Sequence, residues 1–433
     1  MLLNDLKKYS ELHGMYRFFV VALLLVFQPT AVVWAVDRSS TLYSEVEKSI
    51  YQIRVVNRKT GHKRTIGSGF VVARPNVLAT NYHVISAYAN DPDAYQLDYL
   101  ATNGDTGSLQ LLDVDVLHDL AVLSATTPLG KPLQTALIPE KGAALYAFGN
   151  PLDLGFSVVP GTNNGILTNS EDNNILFSGN LNSGMSGGPT LDEKGSVVGV
   201  NVATAGNDVS FLVSVQYLNI LLERLKLRDF APGDDLHGAI VRQLHDNSLG
   251  FVQRLSSNEW ETVRIGGFDV PSRMDKAISC WDGSRTNEER GLVSSISASC
   301  SNERDIYLDE KLSVGNMQYQ YTWYETDSMI PPRFYRMYET QNSSGLDSTA
   351  NKESVTDFNC HTGFVDVSGK DFKMTVCRRD YLRYTGLSDM LVTGAMVSEK
   401  RRGLLFELSL FGTDFNSASK LLKRMLGAFK WQP

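Results

Sequence analysis

Between residues 44 and 215 the chain breaks into short runs of β-favouring residues separated by Gly, Asn, Asp and Pro. They include IYQIRVV (50–56), GSGFVVA (67–73), DLAVLSA (119–125), AALYAFG (143–149), GSVVGVNVA (195–203) and SFLVSV (210–215). Runs of this length and spacing predict an all-β sandwich or barrel rather than βαβ units. The segment 216–227 (QYLNILLERLKL) has the apolar spacing of an amphipathic helix and closes this region. After it, RDFAPGDD (228–235) places Pro and Gly among acidic residues and reads as a linker. These signals divide the chain into an all-β domain over 36–227, a linker over 228–240 and a second domain over 241–433. The 433 residues are too many for one ordinary core, which agrees with two folded domains.

The second domain has another rhythm. GNMQYQYTWYE (315–325), DFKMTVC (371–377) and LLFELSLFG (404–412) alternate as antiparallel strands do, and residues 416–429 form a helix candidate capped by Asn416 or Ser417. This half reads as α+β. The aromatic residues alternating over 318–324 are expected to be core by their period of two. The polar stretch 341–356 reads as a loop, and Arg401 and Arg402 mark a hairpin tip. Asn163, Asn164, Asn173 and Asn174 read as hairpin-turn residues.

All four cysteines, Cys280, Cys300, Cys360 and Cys377, lie in this second half. Four cysteines allow three connectivities, and in an exported chain an even count suggests disulfides. The two local pairings, Cys280 with Cys300 and Cys360 with Cys377, close short loops. No Cys-x-x-Cys spacing occurs and His361 is isolated, so no metal site is expected. No cofactor motif stands out.

Export is suggested at the N-terminus. Lys7, Lys8 and Arg17 precede the apolar run FFVVALLLVF (18–27), and QPTAVVWA follows before polar VDRSS. This is the pattern of a secretory signal peptide over 1–35, with Val33 and Ala35 suiting a cleavage site after Ala35. The alternative is an uncleaved membrane anchor, which would associate the protein with a membrane; Gln28 and Pro29 interrupt that stretch. The expected location is periplasmic or secreted. The net charge of −7 gives no basic footprint for nucleic acid.

Chemistry concentrates in Gly184-Met185-Ser186-Gly187-Gly188-Pro189. Acyl transfer needs a hydroxyl presented at a tight bend, with backbone N–H groups aimed where the oxyanion forms. Glycines permit that bend and a close approach of substrate. A serine nucleophile needs a base, and ATNYHVI (79–85) offers His83 after the apolar pair Val77-Leu78. The base needs an acceptor that fixes its tautomer, and HDLAVL (118–123) offers Asp119 at the mouth of an apolar strand.

Taken in order, GSGFVV (67–72), His83, Asp119 and Ser186 resemble the trypsin-fold serine proteases, and most closely their HtrA/Deg-like bacterial branch. In that branch a G-S-G-F/V strand is followed by T-N-x-H-V, D-L-A-V-L and G-N-S-G-G-P segments; Gly149-Asn150-Pro151 also matches. The resemblance covers about residues 44–225. It implies a double β-barrel protease domain with the triad in the cleft between barrels. His83 would be the general base, Asp119 its orienter, Ser186 the nucleophile, and the N–H groups of Gly184 and Ser186 the oxyanion hole. It further implies that Asn180, six residues before the nucleophile, floors the pocket for the residue before the scissile bond. The strand 199–204, which includes Val202, would line a wall. With no carboxylate there, a small or aliphatic residue is expected in that pocket.

Two departures stand out. Met185 occupies the place of Asn in the bacterial branch and of Asp in digestive enzymes, and no I-V-G-G start precedes the first strand. A zymogen ion pair is therefore not expected. No carboxylate-binding loop of the PDZ type is found in residues 228–433. The resemblance implies a serine endopeptidase acting on proteins or peptides through an acyl-enzyme. The competing reading is a catalytically silent protease-fold scaffold.

Overall fold

Alternation decides the first strand. In β1 (Ile50–Asn57), Tyr51, Ile53 and Val55 fall on one face and enter the core of the first barrel. The computed structural model describes residues 38–150, 154–206, 209–284, 292–309, 311–342 and 350–432, with the side chains of 203–206 also outside the description. The signal-peptide or anchor segment, Pro151 and much of the 341–356 loop lie outside the described residues.

Residues Leu42–Pro433 form one compact unit. The chain before Leu42 is a unit of its own, described only from Arg38, where helix α1 (Arg38–Val46) begins. The strands β1, β2 (Lys63–Val71), β3 (Val77–Thr80), β4 (Tyr95–Leu100), β5 (Thr106–Asp115) and β6 (Leu120–Ala125) close in the order β1-β2-β3-β6-β5-β4. A short helix, α2 (Tyr82–Asn90), follows β3. The second barrel consists of β7 (Ala144–Gly149), β8 (Ser157–Ile166), β9 (Ile175–Phe177), β10 (Pro189–Leu191), β11 (Val197–Gly206) and β12 (Val209–Ser214). It closes in the order β10-β11-β12-β9-β8-β7. The expected double barrel is present.

Helix α3 (Val215–Lys226) lies where the amphipathic spacing predicts it, and Leu218, Leu221, Leu222 and Leu225 bury its apolar face. Ser214 caps it by accepting from the Gln216 N–H. The expected linker behaves differently along its length. Arg228 pairs with Asp113, and the Gly233 N–H donates to the Leu112 carbonyl, which ties the segment to the first barrel. Then α4 (Leu236–Ser257) begins, capped by Asp235. No helix is expected here from the sequence, yet Ile240, Leu244, Phe251, Val252 and Leu255 are buried at helical spacing.

Beyond α4 come β13 (Thr262–Ile265), β14 (Phe268–Pro271), β15 (Ser279–Asp282), β16 (Ser294–Ser301), β17 (Ile306–Tyr307), β18 (Ser313–Val314) and β19 (Met317–Glu325). Helix α5 (Pro331–Gln341) leads to β20 (Asn359–Val367), β21 (Lys370–Asp380), β22 (Ser388–Met396) and β23 (Arg402–Thr413). Helix α6 (Phe415–Gly427) and β24 (Lys430–Trp431) end the fold. Seven strands make one antiparallel sheet in the order β15-β16-β19-β23-β22-β21-β20.

Met317, Tyr319, Tyr321 and Trp323 of β19 are buried in its core, as their alternation predicts. The cap of α6 is Asp414, which accepts from the Ser417 N–H, rather than Asn416 or Ser417. Asn163 departs from its turn reading as well. It lies buried in β8 beside an irregular register, its Nδ2 donating to the Pro139 carbonyl. Asn173 does adopt a turn conformation, with φ of 46°. The sulfurs of Cys280 and Cys300 lie 2.12 Å apart, and those of Cys360 and Cys377 lie 2.01 Å apart, both at disulfide distance.

The C-terminal half is seated on the first barrel. One apolar cluster contains Ile53, Tyr82, Val84 and Leu123 of the barrel. The same cluster contains Ile240 and Leu244 of α4 and Ile306 and Leu308 of the segment that includes β17.

Candidate active site

His83 is placed by the exit of β3. Asn81 is extended and opens α2, so His83 stands in the first helical turn. The β5–β6 turn carries Asp119 directly opposite. The Asp119 carbonyl accepts from the Asn81 side chain at 2.8 Å and from the Tyr82 N–H at 3.1 Å. Its carboxylate then takes both donors of His83: Oδ1 accepts from the backbone N–H at 2.8 Å, and Oδ2 lies 2.6 Å from the ring Nδ1. An ionised carboxylate can only accept, so Nδ1 carries the proton and Nε2 is the basic nitrogen. The side chains of His83 and Asp119 are 21% and 10% exposed, which shields the pair from water. Asp119 holds φ at 54°, a left-handed conformation that Asp tolerates better than most residues. That conformation aims the carboxylate back at α2.

The Ser186 turn is held from both barrels. Gly187 has φ of 84°, and a Cβ there would collide with the Ser68 carbonyl oxygen and Thr80 Oγ1. Only glycine lets the turn lie against β2 and the start of the His83 segment. Ser68, fully buried in β2, reaches the turn twice. Its N–H donates to the Ser186 carbonyl at 2.8 Å, and its Oγ donates to the Gly184 carbonyl at 2.7 Å. The same Oγ accepts from the Asn150 N–H at 2.9 Å. From β11, Asn201 Nδ2 donates to the Met185 carbonyl at 3.2 Å. The Asn201 backbone exchanges bonds with Gly187 and Gly188.

Met185 points the other way. Its side chain is fully buried with Leu145, Ile175, Phe177, Leu181, Val198 and Leu212 in the second barrel. Burial of such a side chain contributes about 1.5–3 kcal/mol. The turn is thus anchored by an apolar side chain and pinned carbonyls, without an ion pair at that position. With these carbonyls satisfied, the N–H groups of Gly184 and Ser186 donate to no acceptor among the described residues.

The Ser186 hydroxyl donates to the Val202 carbonyl at 2.8 Å. Val202 is therefore beside the serine and half-buried, while Asn180 is exposed. Ser68 and Asn201 hold the turn without a local signal that marks them, although both lie inside the β-runs 67–73 and 195–203. His118, next to Asp119, is satisfied elsewhere. It bonds Asp115 at 2.7 Å and stacks on Tyr217.

Residues 67–200 match the family model described as a trypsin-like peptidase domain. A probable periplasmic serine endoprotease of the DegP-like type from Brucella suis is 34% identical over 155 residues, covering 34% of this chain and 29% of that protein. The serine endoprotease DegS of Escherichia coli is 28% identical over 182 residues, covering 38% of this chain and 49% of that protein. The crystal structure of the serine endoprotease from Yersinia pestis aligns with 43% of this chain and 66% of its own, at 26% identity and a TM-score of 0.38. The chain thus spans less than half the length of these two curated relatives. Its double-barrel part is thus similar to trypsin-like peptidase domains and to serine endoproteases of the HtrA/Deg-like kind.

Proposed function

We propose that the chain is a serine endopeptidase that hydrolyses peptide bonds in protein substrates, with Ser186 as nucleophile, His83 as general base and Asp119 as orienter. The observation that carries this reading is the pair of hydrogen bonds that the Asp119 carboxylate accepts from the His83 backbone N–H and Nδ1, which makes Nε2 the proton acceptor. A serine has one hydroxyl proton, and in this conformer it goes to the Val202 carbonyl. Attack requires the hydroxyl to leave this carbonyl and turn toward the imidazole. As Oγ attacks the scissile carbonyl, the proton passes to His83, and Asp119 stabilises the imidazolium. The oxyanion takes hydrogen bonds from the N–H groups of Gly184 and Ser186. His83 then protonates the leaving amine. Water, deprotonated by the same imidazole, hydrolyses the acyl-enzyme and restores the serine.

Val202 would wall the pocket for the residue before the scissile bond, and Asn180 would lie at its rim, favouring small or aliphatic side chains. The periplasmic description of the relative from Brucella suis and the apolar N-terminal run support a periplasmic site of action. The silent-scaffold reading draws on the Ser186–Val202 bond, which turns the hydroxyl away from attack. Casein turnover and fluorophosphonate labelling decide between the two. Active wild type with inactive, folded Ser186→Ala supports the peptidase. Folded wild type that neither labels nor cleaves supports the scaffold.

A further inference from the structure

The C-terminal half places a side chain beside the candidate base. Arg304, 7% exposed, pairs with Glu171 at 2.9 Å and Asp172 at 2.7 Å in the β8–β9 connection of the second barrel. Its guanidinium also bonds Asn247 of α4 at 2.9 Å. Two residues on, Ile306 enters the apolar cluster of the first barrel, and Leu308 follows it. The Leu308 carbonyl accepts from Asn90, the last residue of α2. One short segment therefore runs from a loop of the second barrel to the helix that carries His83, anchored at both ends.

Between those anchors alternation turns Tyr307 away from Ile306 and Leu308. Its ring lies 5.5 Å from the His83 imidazole, centroid to centroid, with the planes inclined by 52°. Among the described residues its hydroxyl donates to no protein acceptor. Burial, with the charges of Asp119 and Asp305, raises the phenol above its ordinary value, so the ring is neutral at working pH.

A substrate strand crossing Ser186 presents successive side chains to opposite faces. If one side chain enters the second-barrel pocket beside Val202, the preceding one faces the first barrel, where His83 stands. We propose that Tyr307 is a specificity-determining residue, its ring docked against His83 to wall the subsite for the side chain preceding the pocket residue. This inference rests on the peptidase reading. An aromatic face favours an apolar side chain or a proline ring, and the nearby carboxylates of Asp119 and Asp305 disfavour an acidic one.

The test uses the full chain and four peptides that differ only at that position: Leu, Pro, Gly or Asp. Wild type is expected to prefer Leu and Pro over Gly, and Gly over Asp. Tyr307→Ala is expected to reduce the Leu-to-Gly ratio of kcat/KM about tenfold, the scale of a lost apolar subsite contact. Tyr307→Phe keeps the ring and is expected to keep the ratio. A Tyr307→Ala enzyme that slows or speeds on all four peptides alike, with unchanged ratios, overturns the inference while leaving the peptidase reading intact. Wild type that neither labels with fluorophosphonate nor cleaves any peptide overturns both.

Discussion

The barrels and the C-terminal sheet answer the same problem in different ways. A β-sheet with free edges leaves N–H and C=O groups unpaired. Each barrel closes on itself, β1 pairing with β4 and β7 with β10, so neither has an open edge. The seven-stranded sheet stays open, with β15 and β20 at its ends. Both sulfur pairs are found there. Cys280 and Cys300 face each other across β15 and β16, and Cys360 and Cys377 across β20 and β21. Each edge strand is stapled to its inner neighbour, whereas the barrels carry no cysteine. The region with the candidate chemistry is held by closure and short backbone bonds. The seven-stranded sheet of the C-terminal half carries cross-links at its two margins.

Substitutions test that contrast. The largest effect is expected at Asp119→Asn, which leaves the geometry but disturbs the tautomer of His83. Its kcat should fall by about 10⁴-fold, with an unchanged melting temperature. Next is Arg304→Ala, which leaves Asp172 without its buried partner and Glu171 with only the more exposed Arg254 at 3.2 Å. It is expected to cost about 3 kcal/mol in denaturant unfolding, far more than Arg264→Ala at an exposed pair. Replacing Cys280 and Cys300 together by Ser opens a loop with a sequence separation of 20. Roughly 3 kcal/mol should be lost, and hydrogen exchange should quicken in β15 while β1 to β12 keep their protection. Equal loss of protection in the barrels would contradict the contrast. The smallest effect is expected at Ser68→Ala. Losing one buried hydroxyl costs about 1–2 kcal/mol and, by loosening the Gly184 carbonyl, should lower kcat more than it raises KM.

Legibility in the sequence followed the same division. Six short β-runs anticipated strands of both barrels because closed barrels leave a strong rhythm of strand and turn. His83, Asp119 and Ser186 stood out as candidates because the proposed chemistry needs those residue types in recognisable surroundings, and the structure pairs the first two. Met185 was legible only as a departure; its burial in the second barrel depends on neighbours from four strands, β7, β9, β11 and β12. Helix α4 was missed because Gly238 and Gly250 and several polar residues dilute its apolar face. Tyr307 carried no local signal, since a two-residue strand gives no periodicity and its contact with His83 spans more than two hundred positions. The sulfur pairs fell among the three connectivities, and strand register selected the local ones.

The central claim is that Ser186 is the residue acylated with the help of the Asp119–His83 pair. Peptide mapping by mass spectrometry after reaction with a slowly deacylating peptide ester tests it most directly. One acyl adduct, on Ser186, is expected in wild type, with strongly slowed formation in Asp119→Asn. An adduct on another residue, or none on folded wild-type protein, would contradict it.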